Sequence, residues 1–231
     1  MPIGVVGSSA SYPQTGANRT RESASIELAS FVGGPDDADV QSRCALSWDA
    51  AVREYNSVAW KFCRVRQSIT LTATDVFALE SDFRSPLRAV LLDSNSKVVN
   101  YPIEYVPYPE WLDRIGPNTG TGSMPQAYTA RDTHISGQVL IWPTLGSTIT
   151  YPTLRLDYHR WISLVGSGVL NVSRDVDEGI FQLAMANQYA KARGAGHKDS
   201  IAQKSYAMGL RNDLERIHRD WPDYGPAGGW Q

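Results

Sequence analysis

From Val139 to Trp161 the chain reads VLIWPTLGSTITYPTLRLDYHRW. In its second half Leu154, Leu156 and Tyr158 alternate with Arg155, Asp157 and His159. A period of two with one apolar side predicts a half-buried strand. Pro143 and Pro152 fall at strand ends, where a missing N–H costs least, so the stretch is read as a hairpin: two strands about a short turn. Upstream, Ile69 and Leu71 alternate with Thr70 and Thr72, and Leu87 to Leu92 is a short apolar run behind Pro86; both predict strands. Between them, Leu79 and Phe83 flank an acidic turn. Tyr101 to Leu112 interleaves aromatic and aliphatic residues with prolines, which predicts an irregular edge segment. Gly116 to Pro125 is a loop without apolar periodicity, and Tyr128 to Ile135 leads into the hairpin.

On either side of this β-rich stretch the period changes to that of a helix. A short helix is predicted over Ser23 to Val32, stopped by Gly33, Gly34 and Pro35, with Asp36, Asp37 and Asp39 preparing the next start. There Cys44, Trp48, Val52, Tyr55, Ala59 and Phe62 recur at spacings of four and three, one stripe of a long helix. Lys61 and Arg64 at its end suit the helix dipole. Toward the C-terminus Ser173 or Asp175 caps a further helix, Asp175 having Glu178 at capping-box spacing. Ile180, Leu183, Ala184 and Asn187 form its apolar face, with Phe181 and Met185 beside it. Gly194-Ala195-Gly196 breaks it, and a last helix carries Tyr206, Leu210, Leu214 and Ile217. The short break makes the two an antiparallel helical hairpin. Residues 1 to about 22 are Ser-, Gly-, Thr- and Pro-rich, and Pro222, Gly225, Pro226, Gly228 and Gly229 prevent a helix in the tail. The organisation expected is α+β: an N-terminal arm with a short helix (1–38), a helical core (39–63 and 171–220), a β-rich insertion (64–170) and an extended tail (221–231).

Composition adds little chemistry to this outline. The chain of 231 residues is 42% hydrophobic and 20% charged, ordinary for a folded protein. With 22 basic and 24 acidic side chains its net charge is −2, which disfavours a dedicated nucleic-acid binder. No apolar run is long enough to cross a membrane, and the N-terminus lacks an export signal. Cys44 and Cys63 are expected to be buried apolar fillers rather than a disulfide or a zinc site. His134, His159, His197 and His218 share no metal-ligand spacing; His159 falls on the polar side of its strand and His218 near a helix end. Asp175, Asp177 and Glu178 are expected to serve the helix dipole. Gly116, Gly120 and Gly122 lack the Lys-Ser or Lys-Thr of a phosphate loop, and no serine sits in a GxSxG elbow. The triplet Lys61, Arg64 and Arg66 is expected to be a solvated helix end. Neither a catalytic site, a metal nor a cofactor is expected.

Two features point to assembly. Seven Trp and eleven Tyr are many for this length, and three of these aromatics, Trp221, Tyr224 and Trp230, stand in a tail that cannot form its own core. Anchoring in a groove of a second protein would use them. The helical hairpin, with its Tyr206–Ile217 and Phe181–Met185 faces, likewise offers more apolar surface than one partner helix need cover.

Taken in order (the helix WDAAVREYNSVAWKF, the turn LESDF at Leu79–Phe83, IWPT at Ile141–Thr144, LRLDYHRW at Leu154–Trp161, then a helical pair and an irregular tail), the chain resembles the head-to-tail adaptors, or connectors, of tailed bacteriophages over roughly Asp39 to Asp220. That resemblance implies a helical-bundle core with an inserted antiparallel β-subdomain and no enzymatic activity. It implies a virion protein of the neck, assembled from the host cytoplasm, about a dozen copies forming a ring. The ring would join the portal protein to nozzle or tail-tube proteins and line the channel through which DNA passes transiently. The tail aromatics would then dock on the portal, and the Gly116–Pro125 loop would face the tail. Two alternatives come from other classes. A small hydrolase or carbohydrate-active domain would use acids such as Asp157 and Asp132 in an aromatic cleft, with carboxyls about 5–10 Å apart. A DNA-binding module would use the Lys61–Arg66 end, with salt-dependent affinity.

Overall fold

The computed structural model describes residues 18–99, 101, 103–118, 120–131, 137–164 and 168–219. Five α-helices run over Arg21–Val32 (α1), Ala38–Tyr55 (α2), Tyr108–Arg114 (α3), Arg174–Arg193 (α4) and Lys198–His218 (α5). The strands are Arg64–Thr70 (β1), Val76–Ala78 (β2), Phe83–Leu92 (β3), Val98–Val99 (β4), Glu104–Tyr105 (β5), Thr121–Gly122 (β6), Ala127–Arg131 (β7), Gln138–Trp142 (β8), Thr144–Leu145 (β9) and Thr153–Arg160 (β10). The chain is α+β, and it divides into two compact units: residues 64–161 hold all the strands and α3, and the described residues on either side hold the other four helices.

In the helical unit, α1 begins at Thr20, whose hydroxyl accepts from the Ser23 backbone N–H while the Ser23 side chain accepts from the Thr20 N–H. This reciprocal cap satisfies two of the donors a helix start leaves open. Gly33 ends α1 with φ +86°, a left-handed geometry that glycine alone adopts without strain. Asp37 then caps α2, its carboxylate accepting from the backbone of Asp39 and Val40. Helix α1 packs on α2 and α4, α2 on α4, and α4 on α5. They close over one core containing Leu28, Cys44, Trp48, Tyr55, Val176, Ile180, Phe181 and Ala184. Both cysteines are free and buried, the fillers expected.

The long helix read through to Phe62 stops instead at Tyr55. Asn56 supplies the reason: its side-chain amide donates to the Ile162 carbonyl at 3.0 Å and its side-chain oxygen accepts from the Ile162 N–H at 2.8 Å. The chain leaves the helix there and folds back, so that Trp60 donates its indole N–H to the Tyr55 carbonyl at 2.7 Å and stacks on the Tyr55 ring. Val58, Trp60 and Phe62 thus reach the same core beyond the end of α2, Phe62 from a single 3-10 turn over Lys61–Cys63. Arg53 rather than Arg64 closes the last turn.

The β-rich unit is built on two stacked four-stranded sheets, with β6 and β9 forming a separate two-stranded one. One has the strand order β1-β10-β3-β4, all antiparallel; the other runs β2-β8-β7-β5, with β5 parallel to β7. Ile69, Leu91, Leu154, Leu156 and Tyr158 of the first meet Phe77, Tyr128, Val139 and Ile141 of the second in one core. Helix α3 covers the far side of the second sheet, with Trp111 and Ile115 packed on Ala127 and Leu140.

Residues 139–161 are not a hairpin, because β8 pairs with β2 and β7 while β10 pairs with β1 and β3. The residues between them cross from one sheet to the other, and the peptide bond between Trp142 and Pro143 is cis. The Tyr101–Leu112 stretch supplies the edge strand β5, as read, but its second half enters helix α3, with prolines at the helix start where a missing N–H is tolerated. Val76–Ala78, placed near the acidic turn, is strand β2. The Gly116–Pro125 loop contains β6, paired in parallel with β9.

Candidate functional site

The described part of the helical unit ends at a polar clasp and an aromatic shelf. Arg19, just ahead of α1, donates to Glu27 at 2.8 Å, to Asp177 at 2.9 Å and to Glu178 at 2.8 Å, with its guanidinium over the Phe181 ring. Asn18 donates to the carbonyls of Leu170 and Val172. Together they fasten the entering chain to the start of α4. Burial pushes the Asp177 carboxyl above the ordinary range, against the pull of Arg19. For Glu178 burial pushes the same way, but hydrogen bonds from Gln182 and Arg19 more than offset it and hold the group low. The capping box expected between Asp175 and Glu178 is absent: Ser173 is the N-cap residue, makes no side-chain cap bond, and Glu178 is turned to Arg19. Sequence periodicity has no means of finding Arg19, because its partners on α4 lie about 160 residues away.

On α5 the buried positions are Ser200 and Ala207, with Leu214 packed at the core margin. Tyr206 and Ile217, on the apolar stripe read as more than one partner helix need cover, are more than half exposed, as is Ile201. At the far end of α5 the His218 ring meets Phe62 edge-on, Phe62 stacks on Trp60, and Trp60 bridges to Arg219. The chain beyond, with Trp221, Tyr224 and Trp230, lies outside the described residues, as do His134 and Asp132.

In the β-rich unit Asp157 sits on the outward side of β10 between two arginines of neighbouring strands. Arg66 Nε donates to one carboxylate oxygen at 2.8 Å and Arg88 to the other at 3.1 Å. Arg155, two residues back, shares that face. Burial lowers its pKa, and the nearby charges of Arg66 and Arg88 lower it further. His159 follows on the same side of β10 by its register with β1, yet it is buried rather than wet. The β10–β3 ladder is irregular on both sides of it, which breaks the simple alternation.

The chemistry this offers is recognition. Asp157 has both oxygens committed to guanidinium groups. A cleft in the same unit is lined by Glu104, Arg114, Asn118 and Trp142, but Arg114 is paired with Glu104 and Glu110, and the Trp142 indole donates to the Asn118 carbonyl. Arg66 of the basic triplet is likewise tied to Asp157. Among the described residues no three His, Cys, Asp or Glu are placed to hold a metal ion, and no helix is long and apolar enough to cross a membrane.

A family model described as SU10 adaptor protein matches residues 23–228. No curated protein matches the chain. Among solved structures it is similar to a chain in "Neck of native GTA particle computed with C12 symmetry", at 16% identity over 91% of this chain and 96% of that one, TM-score 0.30. It is also similar to a chain in "Neck of empty GTA particle computed with C6 symmetry", at 14% identity over the same shares, TM-score 0.31. Scores this low establish no common arrangement.

Proposed function

Because this chain belongs to the SU10 adaptor protein family, we propose that it is a structural head-to-tail adaptor of a phage-like virion. The family match, spanning both units, is the observation that carries the reading. About a dozen copies close into a ring beneath the portal. The ring lines the DNA channel and presents a platform to tail proteins, and it acts by assembly without catalysing a reaction. The arrangement proposed for each subunit is a helical bundle with the β-rich unit inserted into it.

The physical features agree with such a role. A ring subunit must mate through two different surfaces that close by rotation, and both units expose groups that folding of a single chain leaves unused. Ile201, Tyr206 and Ile217 on α5 are exposed apolar residues of this kind. The near-neutral charge of −2 suits a conduit that must not retain DNA. Assembly takes place in the host cytoplasm, and the finished location is the neck.

The portal contact is assigned to the tail, with Trp221, Tyr224 and Trp230 as anchors. Truncation after Asp220 should abolish attachment to portal-bearing heads and leave the thermal unfolding of the rest unchanged. Attachment that survives truncation would remove the tail from the reading. The adaptor role itself is tested by deleting the whole chain from an assembling system: DNA-filled heads and free tails should accumulate unjoined. Normal joined particles would end the proposal.

A further inference from the structure

Within the β-rich unit one sheet face is covered by α3 and two form the core, which leaves the outer face of β1-β10-β3. That face carries three arginines. Arg66 and Arg88 flank Asp157, and Arg155 stands one pleat along, between Ser68 of β1 and Val90 of β3. A single carboxylate, paired with Arg66 and Arg88, therefore stands among three guanidinium groups. Arg88 is 61% exposed while Asp157 is only 19% exposed, so the positive charge is outermost. Arg155 makes no ion pair among the described residues, and its Nε is buried without a hydrogen-bond partner. A guanidinium without an ion pair, held beside two like charges, gains from any carboxylate brought up to the face.

The same chain carries a complementary feature. The turn between α1 and α2 exposes Asp36, Asp37 and Asp39, and none of them has an ion-pair partner among the described residues. Asp37 is used as the N-cap; Asp36 and Asp39 have no such duty. We infer that the arginine face of β1-β10-β3 in one copy receives the Asp36–Asp39 turn of the next copy. The inference rests on the ring reading above and names the surfaces by which neighbours meet. It is a heterologous contact, two different patches, as a closed ring requires. A phosphate backbone fits the face less well: affinity for it grows with the number of charges neutralised, and here Asp157 cancels one cation at the centre.

Charge exchange tests this in particles assembled with the full chain. Arg88→Glu with Arg155→Glu should reduce incorporation into necks at least tenfold, and so should Asp36→Lys with Asp39→Lys. The chain carrying all four changes should recover most of the wild-type level. Circular dichroism of each variant reports folding. If the arginine pair fails to fold, the aspartate pair still decides, since its unimpaired incorporation overturns the inference. Incorporation of a folded arginine variant at wild-type level also overturns it and leaves the ring reading intact, as does failure of the fourfold variant to recover. Loss of salt-dependent binding to duplex DNA with unchanged incorporation would assign the face to DNA instead. Absence of the wild-type chain from necks would defeat the ring reading before this one is reached.

Discussion

Gly179 lies where α4 passes between Tyr55 of α2 and Leu214 of α5. A methyl group placed there overlaps the Tyr55 hydroxyl and comes within 3.0 Å of Leu214 Cδ1. Tyr55 is fully buried and stacked on Trp60, so it has nowhere to swing. Forcing a methyl into a packed core costs about 1–3 kcal/mol. The better helix propensity of alanine returns about 0.5–1 kcal/mol. Gly179→Ala is therefore expected to lose up to about 2.5 kcal/mol net, and about 1 kcal/mol at the middle of both ranges. The Tyr55 hydroxyl has no hydrogen-bond partner among the described residues, and burial pushes its pKa up. Removing it in Tyr55→Phe should be neutral or stabilising by about 1 kcal/mol. With the oxygen gone, the closest Tyr55 atom to the new methyl is Cζ at 3.3 Å, a contact the ring can relieve by a small shift. The double variant should then recover about 1 kcal/mol relative to the sum of the singles, well outside the ~0.3–0.5 kcal/mol scatter of independent sites. Urea unfolding followed by far-ultraviolet circular dichroism on the four chains measures the cycle. Strict additivity would refute the close approach of α2, α4 and α5 at this point.

Asp37→Ala should cost about 1 kcal/mol through loss of the α2 cap, read as a lower urea midpoint at unchanged slope. Leu156→Ala, at a fully buried position between the two sheets, should cost about 2–5 kcal/mol, seen as an earlier thermal transition. Arg19→Met should make stability more pH-dependent. The Asp177 carboxyl has its folded pKa raised by burial, so the folded state holds that proton more tightly than the unfolded chain. Its contribution is favourable below the ordinary carboxylate range and is lost as pH rises through the raised value. Without Arg19 that value climbs further, while Glu178, whose folded pKa is depressed partly by Arg19, gives up stability otherwise present above the ordinary range. Both changes act in one direction: the variant should fall further below wild type at pH 7.5 than at pH 4.5 in paired urea titrations. An equal deficit at both values would contradict the clasp.

The helices were legible where local chemistry decides. The Gly33 stop, the acids before α2 and the Gly194 break all act within a few residues, whereas the Thr20 cap, which starts α1 two residues ahead of the predicted Ser23, was not read. Long-range partners were not legible. Asn56 ends α2 because of Ile162, and Tyr206 faces outward because α5 turns Ala207 to the core. Neither fact has a periodic signature, since Ala59, Phe62 and Tyr206 keep helical spacing regardless. Alternation located β10 correctly, but alternation says nothing about which strand pairs with which, and proximity in sequence wrongly paired β8 with β10. Tyr108–Arg114 was masked as a helix by its own prolines, which stand at the helix start where they are tolerated. The arginine face was half visible: Arg155 and Asp157 alternate with leucines, but their grouping with Arg66 and Arg88 exists only in the folded sheet.

The central claim concerns where the chain resides, and electron-microscope reconstruction of intact necks tests it most directly. The account predicts density for this chain as a closed ring stacked between portal and tail, with its tail segment against the portal. Necks that are complete without it, or copies found only elsewhere in the particle, would contradict the account.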